Sequence, residues 1–215
     1  MSERRRRDTM MLVEVHTRAG VLTAGQRAEI NRRFIQSTTG DDGEGHAPET
    51  LREARRWMRL VFHEAADSFV GEERESGDVP PRFLVRVSVP GAWRKDTAGH
   101  LIKEMTRALA EVVCGDRAFE QPDVWVHVLG VPEGGIGVFG TPMGAEDLVR
   151  LLTRAHRESP RRPERMPEGS GYDPVCGMVV PLRHAAAVAE HDGETYAFCS
   201  KGCHHVFTED TVSAD

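Results

Sequence analysis

Two apolar alternations begin about 70 residues apart and constrain the fold most. The first is MLVEVHT, Met11 to Thr17, in which Leu12, Glu14 and His16 alternate with Val13 and Val15. The second is RFLVRVSV, Arg82 to Val89, in which Phe83, Val85, Val87 and Val89 share one face. A period of two is the signature of a half-buried strand. After the first strand comes TAGQRAEINRRFIQSTTG. Thr23 followed three residues later by Gln26 fits a capping box, Ile30 and Phe34 share a helical face, and Gly40 can end the helix. After the second strand, Asp96 or Thr97 can cap a helix through His100 to Val113, with Leu101, Met105, Leu109 and Val112 as its apolar stripe and Gly115 as its stop. Each helix leads to another strand pattern, WMRLVFHEAADSFVG in the first half and DVWVHVLGVPEGGIGVFG in the second. In the former, Leu51, Ala54, Met58, Val61, Ala65 and Phe69 also fit a helical period, but the parallel with the second half favours a strand from about Met58.

Each half therefore reads strand, helix, strand. A β-α-β unit sets its two strands parallel through a right-handed crossover. Two such units side by side give a four-stranded sheet with two main helices on one face, an α/β (α+β) architecture. GEERESGDVPP, Gly71 to Pro81, divides the halves. SPRRPERMPEGSG, Ser159 to Gly171, holds prolines and glycines and almost nothing to bury, as a linker does. The expected organisation is a basic disordered tail over 1–9, a tandem β-α-β domain over 10–155, a linker over 156–171 and a small module over 172–211.

The formal charge of −6 argues against a general nucleic-acid binder. No apolar run approaches the ~20 residues that a membrane helix needs. MSERRRRDTMM is basic but leads into no long apolar segment, so neither an export signal nor an anchor is expected. A cytoplasmic, reducing setting with free thiols follows as the expectation. There cysteines serve as metal ligands, catalytic groups or small core residues.

The last 44 residues hold three of the four cysteines and four of the ten histidines. They carry two basic residues, Arg183 and Lys201, against seven acids. Cys176 lies in YDPVCGMVVP, and Cys199 and Cys203 in YAFCSKGCHHVF, at gaps of twenty-two residues and three. A C-x3-C pair brings two sulfurs together on a tight turn or on a helix's first turn, where i and i+4 share a face and the positive end of the helix favours thiolates. Cys176 can return by a hairpin turning at Asp192-Gly193, the preferred two-residue turn. So small a module buries little, and a metal would cross-link what apolar burial cannot. Thiolates are soft ligands that select Zn2+, Cu(I) or similar ions. Zn2+ usually takes four ligands. Three are visible, and the fourth is His191, His204, His205 or an exogenous group. Met178 could add a thioether to Cu(I).

The 172–211 segment closely resembles the YHS domain, a member of the TRASH-type treble-clef metal modules. The matching residues are Asp173 through Met178, Gly193, Tyr196, and Phe198-Cys199-Ser200 through Cys203 to Phe207. The resemblance implies a transition metal held by Cys176, Cys199 and Cys203, in a role of sensing, buffering or delivery, or as a rider on an enzyme. The region from about Met10 to Leu152 resembles the tautomerase superfamily in its fused two-repeat form, on the repeat plan and on the paired endings SFVGEE and GVFGTP. That resemblance implies a β-α-β sandwich, a tendency to form homotrimers, and isomerase or hydrolase activity on small unsaturated or keto acids. The family works through a free amino-terminal proline as base or nucleophile. Here residue 2 is Ser2, and Pro81, before the second repeat, has an amide nitrogen without basicity. The sequence therefore favours a metal-binding protein on a tautomerase-like platform, with a tautomerase-like enzyme as the alternative.

Other polar residues have plainer expectations. His16, His63, His100 and His127 read as surface or interface histidines. Glu64 could act as a general base. Cys114 reads as a small core residue, and GVPEGGIGVFG lacks the spacing of a phosphate loop.

Overall fold

The computed structural model describes residues 11–40 and 47–212. The expected basic tail over 1–9 lies outside the described residues. In chain order the elements are β1 (Met11–Arg18), α1 (Ala24–Thr39), α2 (Pro48–Arg56), β2 (Met58–Ala65), β3 (Phe69–Val70), β4 (Glu73–Arg74), β5 (Phe83–Pro90) and α3 (Gly91–Leu109). After a π turn over Ala110–Cys114 come α4 (Arg117–Glu120), β6 (Val124–Val131), β7 (Ile136–Val138), β8 (Thr141–Met143) and α5 (Ala145–Glu158). The chain closes with β9 (Ser170–Tyr172), β10 (Val179–Pro181), a 3-10 turn over Leu182–His184, β11 (Ala187–His191), β12 (Glu194–Phe198) and α6 (Lys201–Val212).

The chain forms two compact units. The first takes Trp57–Pro132 and the described residues up to Thr39. The second takes the described residues from Glu133 onward together with those of the Gly40–Arg56 stretch, which carries α2. The boundaries expected at 155 and 171 thus both fall inside the second unit, and α5 runs to Glu158, past the expected start of the linker.

In the first unit the sheet order is β2-β1-β5-β6. β1 pairs parallel with β2, β5 parallel with β6, and β1 antiparallel with β5. This is the expected pair of β-α-β units, joined through their first strands. Alternation sends Val13, Val15, Val85 and Val87 to one face, where they meet Ile30 and Phe34 of α1 and Leu101, Met105 and Leu109 of α3. All nine are essentially solvent-free. α1 starts as expected: the Thr23 backbone N–H donates to Gln26 Oε1 at 2.9 Å, and the Gln26 N–H donates back to Thr23 Oγ1 at 3.2 Å.

α3 differs from its expected start. It begins at Gly91, directly off β5, with Pro90 at the cap position and no side-chain cap. A Cβ on Gly91 would lie 2.9 Å from the Val131 carbonyl oxygen, so the strand-to-helix corner closes against the end of β6. Asp96 and Thr97 fall inside the helix, where Thr97 Oγ1 donates to the Trp93 carbonyl at 2.9 Å. The helical period around Leu51 is also real. It belongs to α2, which ends at Arg56, and the strand then starts at Met58. The two paired endings fold as short hairpins, β3-β4 and β7-β8. The glycine-rich stretch is therefore a hairpin, not a phosphate loop.

In the second unit a four-stranded sheet runs β10-β9-β12-β11. The β11-β12 turn is Asp192-Gly193, with φ of +51° and +76°, the paired left-handed conformation that such a turn requires. α6 is held to α5 by charge: Arg150 Nη2 lies 2.7 Å from Glu209, and Arg157 Nη1 lies 2.6 Å from Asp210.

Candidate metal centre

The centre grows from a tight turn between β9 and β10. The Asp173 N–H donates to the Met178 carbonyl at 2.8 Å, and the Gly177 N–H to the Asp173 carbonyl at 2.9 Å. This turn lifts Cys176 to its tip. Cys199 follows β12 directly. Ser200 then caps α6, its Oγ accepting the Cys203 N–H at 3.1 Å, which sets Cys203 in the first helical turn. Turn, hairpin and helix so bring three distant residues to one point.

The Cys176 and Cys199 sulfurs lie 3.5 Å apart, and those of Cys199 and Cys203 lie 3.6 Å apart. Both separations are too long for a disulfide, and all three cysteines are free. Cys176 and Cys203 are buried and Cys199 is half-buried. Four thiolates around Zn2+ at ~2.3 Å would sit about 3.8 Å from one another. The observed spacing fits that geometry closely, so the donor set suits a soft transition metal.

Sequence reasoning placed Asp173 in the motif but gave it no task. It is fully buried, and it is the fourth member of the donor cluster. Its Oδ1 accepts the N–H groups of Val175 (3.0 Å) and Cys176 (3.3 Å), and its Oδ2 that of Cys199 (2.9 Å). One carboxylate thus ties both cysteine-bearing loops together through their backbones. Burial, and then negative charge on Cys203, raise its pKa to about 6, against the lowering pull of the Cys199 N–H and of the Cys199 and Cys176 thiols. Among the thiols, Cys203 ionises first, because those of Cys176 and Cys199 can donate to it. The Cys176 thiol is pushed up by its bonds to Cys199 and Cys203 and by burial. A cation placed among the sulfurs would relieve this crowding of charge.

The histidines expected as fourth ligands point to other partners. The His204 ring packs on Phe198 at 5.0 Å, and the His191 ring on Phe207 at 5.6 Å. His205 lies near Glu146 and Glu209, at 3.7 and 3.4 Å. None joins the cluster of Asp173 and the three cysteines. Met178 enters the turn through its carbonyl.

A buried polar relay braces the turn from behind. The Cys176 carbonyl accepts Thr50 Oγ1–H at 3.0 Å and the Ala47 N–H at 3.4 Å, both from the α2 stretch. His156, solvent-free on α5, bridges Glu49 Oε1 (2.9 Å) and the Tyr172 hydroxyl (2.8 Å). A carboxylate only accepts, so in the neutral ring Nδ1 carries the proton and Nε2 accepts from Tyr172. Glu49 is held below its ordinary pKa chiefly by the His156 bond. Gly177 has φ +77°, and a Cβ there would meet Ala47 Cβ at 2.5 Å and His156 Cε1 at 2.7 Å. No local pattern exposed this relay, because its members are separated by more than 120 residues.

In the first unit, a cavity of about 560 Å³ is lined by His16, His63, Glu64, Arg82, Asp123 and Trp125 among others. His63 is exposed and His16 half-buried; His100 and His127 are exposed on other elements. Glu64 pairs with Arg27 at 2.8 Å. Cys114 packs beside the core, and burial raises its thiol to about 11, as suits an unreactive residue. Among the described residues no helix is long and apolar enough to cross a membrane.

No protein-family model matches the chain. A curated human relative, Disks large-associated protein 3, is 30% identical over 118 residues, which make up 53% of this chain and 12% of that protein. The chain thus matches only a small part of that relative's length. Similar solved structures include a fused 4-OT wild-type symmetric trimer (21% identical, covering 64% of this chain and 98% of that one, TM-score 0.46). A member of the cis-3-chloroacrylic acid dehalogenase family is similar at 16% identity, covering 68% and 96%, with TM-score 0.46. A macrophage migration inhibitory factor-like protein from Entamoeba histolytica is similar at 10% identity, covering 61% and 97%, with TM-score 0.42. These are structures of tautomerase-superfamily proteins.

Proposed function

We propose that this chain is a transition-metal-binding protein in which Cys176, Cys199 and Cys203 hold one soft ion, Zn2+ or Cu(I). The observation that carries the reading is the approach of three free sulfurs to 3.5 and 3.6 Å in a largely buried site. Asp173 keeps the two loops in register and is the nearest candidate for a fourth donor. The 172–211 segment is read as a YHS module, seated on a tautomerase-like platform that assembles as a homotrimer. Its role is sensing, buffering or delivery of the ion. The test is elemental analysis of protein purified anaerobically under reducing conditions, beside a variant with serine at all three cysteines. Near-stoichiometric metal in the parent and none in the variant supports the reading. No metal in either, even after reconstitution, removes it. Sedimentation velocity tests the trimer.

A second reading makes the first unit a tautomerase-like isomerase or hydrolase of small unsaturated or keto acids. It is favoured by the cavity of about 560 Å³ with ionisable His16, His63, Glu64 and Arg82 in its wall. Absence of turnover across such acids, with folded protein, removes it.

A further inference from the structure

We infer that Glu14, His16 and His63 form a second metal site, separate from the cysteines and suited to a divalent ion of borderline softness such as Zn2+. The register of β1 and β2 sets His16 directly beside His63. Glu14 lies two residues earlier on the same face of β1, the face turned away from the helices. Glu14 Oε1 is 3.1 Å from His63 Nε2, and the two imidazoles stack at 4.6 Å with planes 14° apart. One donor atom from each of the three residues lies within 4.8 Å of the others.

A second observation points to a missing ligand. The Nε2 atom of His16 is buried and has no hydrogen-bond partner among the described residues. Buried polar atoms are seldom left so, and each such case calls for an explanation. An ion coordinated there would supply the partner. Donors around a tetrahedral Zn2+ at ~2.0–2.1 Å sit about 3.3 Å apart. The Glu14–His63 separation already meets this, and His63, exposed on the edge strand β2, has room to turn its ring toward His16. Two imidazoles and a carboxylate are harder ligands than three thiolates, so the two sites differ in preference: Cu(I) goes to the cysteines alone, whereas Zn2+ fills the cysteines first and this site second. Both histidines line the cavity of the first unit, which leaves the remaining coordination positions open to water or a small ligand. Arg86 stands opposite Glu14 across β1 and β5, and its charge opposes a bound cation.

Cobalt(II) separates the two sites in this 215-residue chain, because thiolate ligands give an intense near-ultraviolet charge-transfer band that imidazole and carboxylate do not. The expected result is two equivalents bound, one with that band and one without. The variant carrying H16A and H63A together keeps the band and loses the second equivalent. In Zn2+ competition, H63A alone weakens the band-free site at least tenfold, and R86Q tightens it. Circular dichroism checks that the variants fold, and H63A is the milder change because its side chain is exposed. One equivalent without the band, lost in the double variant, would support this site while removing the cysteine reading. One equivalent with the band, or a second equivalent that persists in the double variant, overturns the inference.

Discussion

Replacing Gly177 by alanine tests how the cysteine-bearing turn is held. Gly177 and Gly193 have nearly the same backbone, at φ +77° and +76°. An L-residue in that region costs roughly 1–2 kcal/mol, and both substitutions incur it. They differ in surroundings. A Cβ at Gly193 meets nothing within 4 Å, whereas one at Gly177 meets Ala47 Cβ at 2.5 Å, His156 Cε1 at 2.7 Å and His156 Nδ1 at 3.0 Å. None of these is the end of a flexible chain. Overpacking of this kind costs about 1–3 kcal/mol. Gly177→Ala should therefore destabilise the second unit by roughly 2–5 kcal/mol and Gly193→Ala by roughly 1–2 kcal/mol. The difference isolates the packing of the turn against α5 and the start of α2. Hydrogen exchange in urea, read by mass spectrometry on peptides from α5, β9 and α6, measures it for this unit alone. Equal losses from the two substitutions, or a neutral Gly177→Ala, would refute the reasoning.

Asp173→Asn replaces an acceptor by an amide in a site where three N–H groups converge, so at least one is left unpaired. A loss of about 1–3 kcal/mol is expected in the same exchange experiment, along with weaker metal retention. Phe34→Ala empties the centre of the first unit's core and should cost that unit about 3–5 kcal/mol in urea unfolding followed by tryptophan fluorescence. Trp57, Trp93 and Trp125 all belong to that unit, so they report it selectively. The sign of the Glu49 effect follows from its depressed pKa. Its ionised form is preferred in the folded state, so the stability it adds is present above its ordinary value of 4.5 and lost as pH falls through the lower folded value. Urea midpoints of the second unit should drop between pH 5 and 3, and Glu49→Gln should flatten that drop.

The strands and the cap of α1 were legible because their signals are local. Val13 and Val15, or Thr23 and Gln26, announce themselves within a few residues. The Asp192-Gly193 hairpin and the C-x3-C helix start were legible for the same reason. The start of α3 was not, since Pro90 offers no capping side chain and the corner is set by contact between Gly91 and the end of β6. Nor was α5 recognised, although it carries His156 and grips α6. The place of α2 in the second unit was hidden as well. Thr50 and Ala47 reach the Cys176 carbonyl across more than 120 residues of sequence. Asp173 shows the same limit: its place in the motif was plain, but its three backbone donors come from two separate loops. The His16–His63 pair depends on the exact register of β1 and β2, which a sequence does not print.

X-ray absorption at the metal edge, on the 215-residue chain loaded with one equivalent of Zn2+ under reducing conditions, tests the central claim most directly. The account predicts three sulfur neighbours at about 2.3 Å, completed by one oxygen or nitrogen, and loss of that shell when Cys176, Cys199 and Cys203 are serine. A shell with fewer than three sulfurs would contradict it.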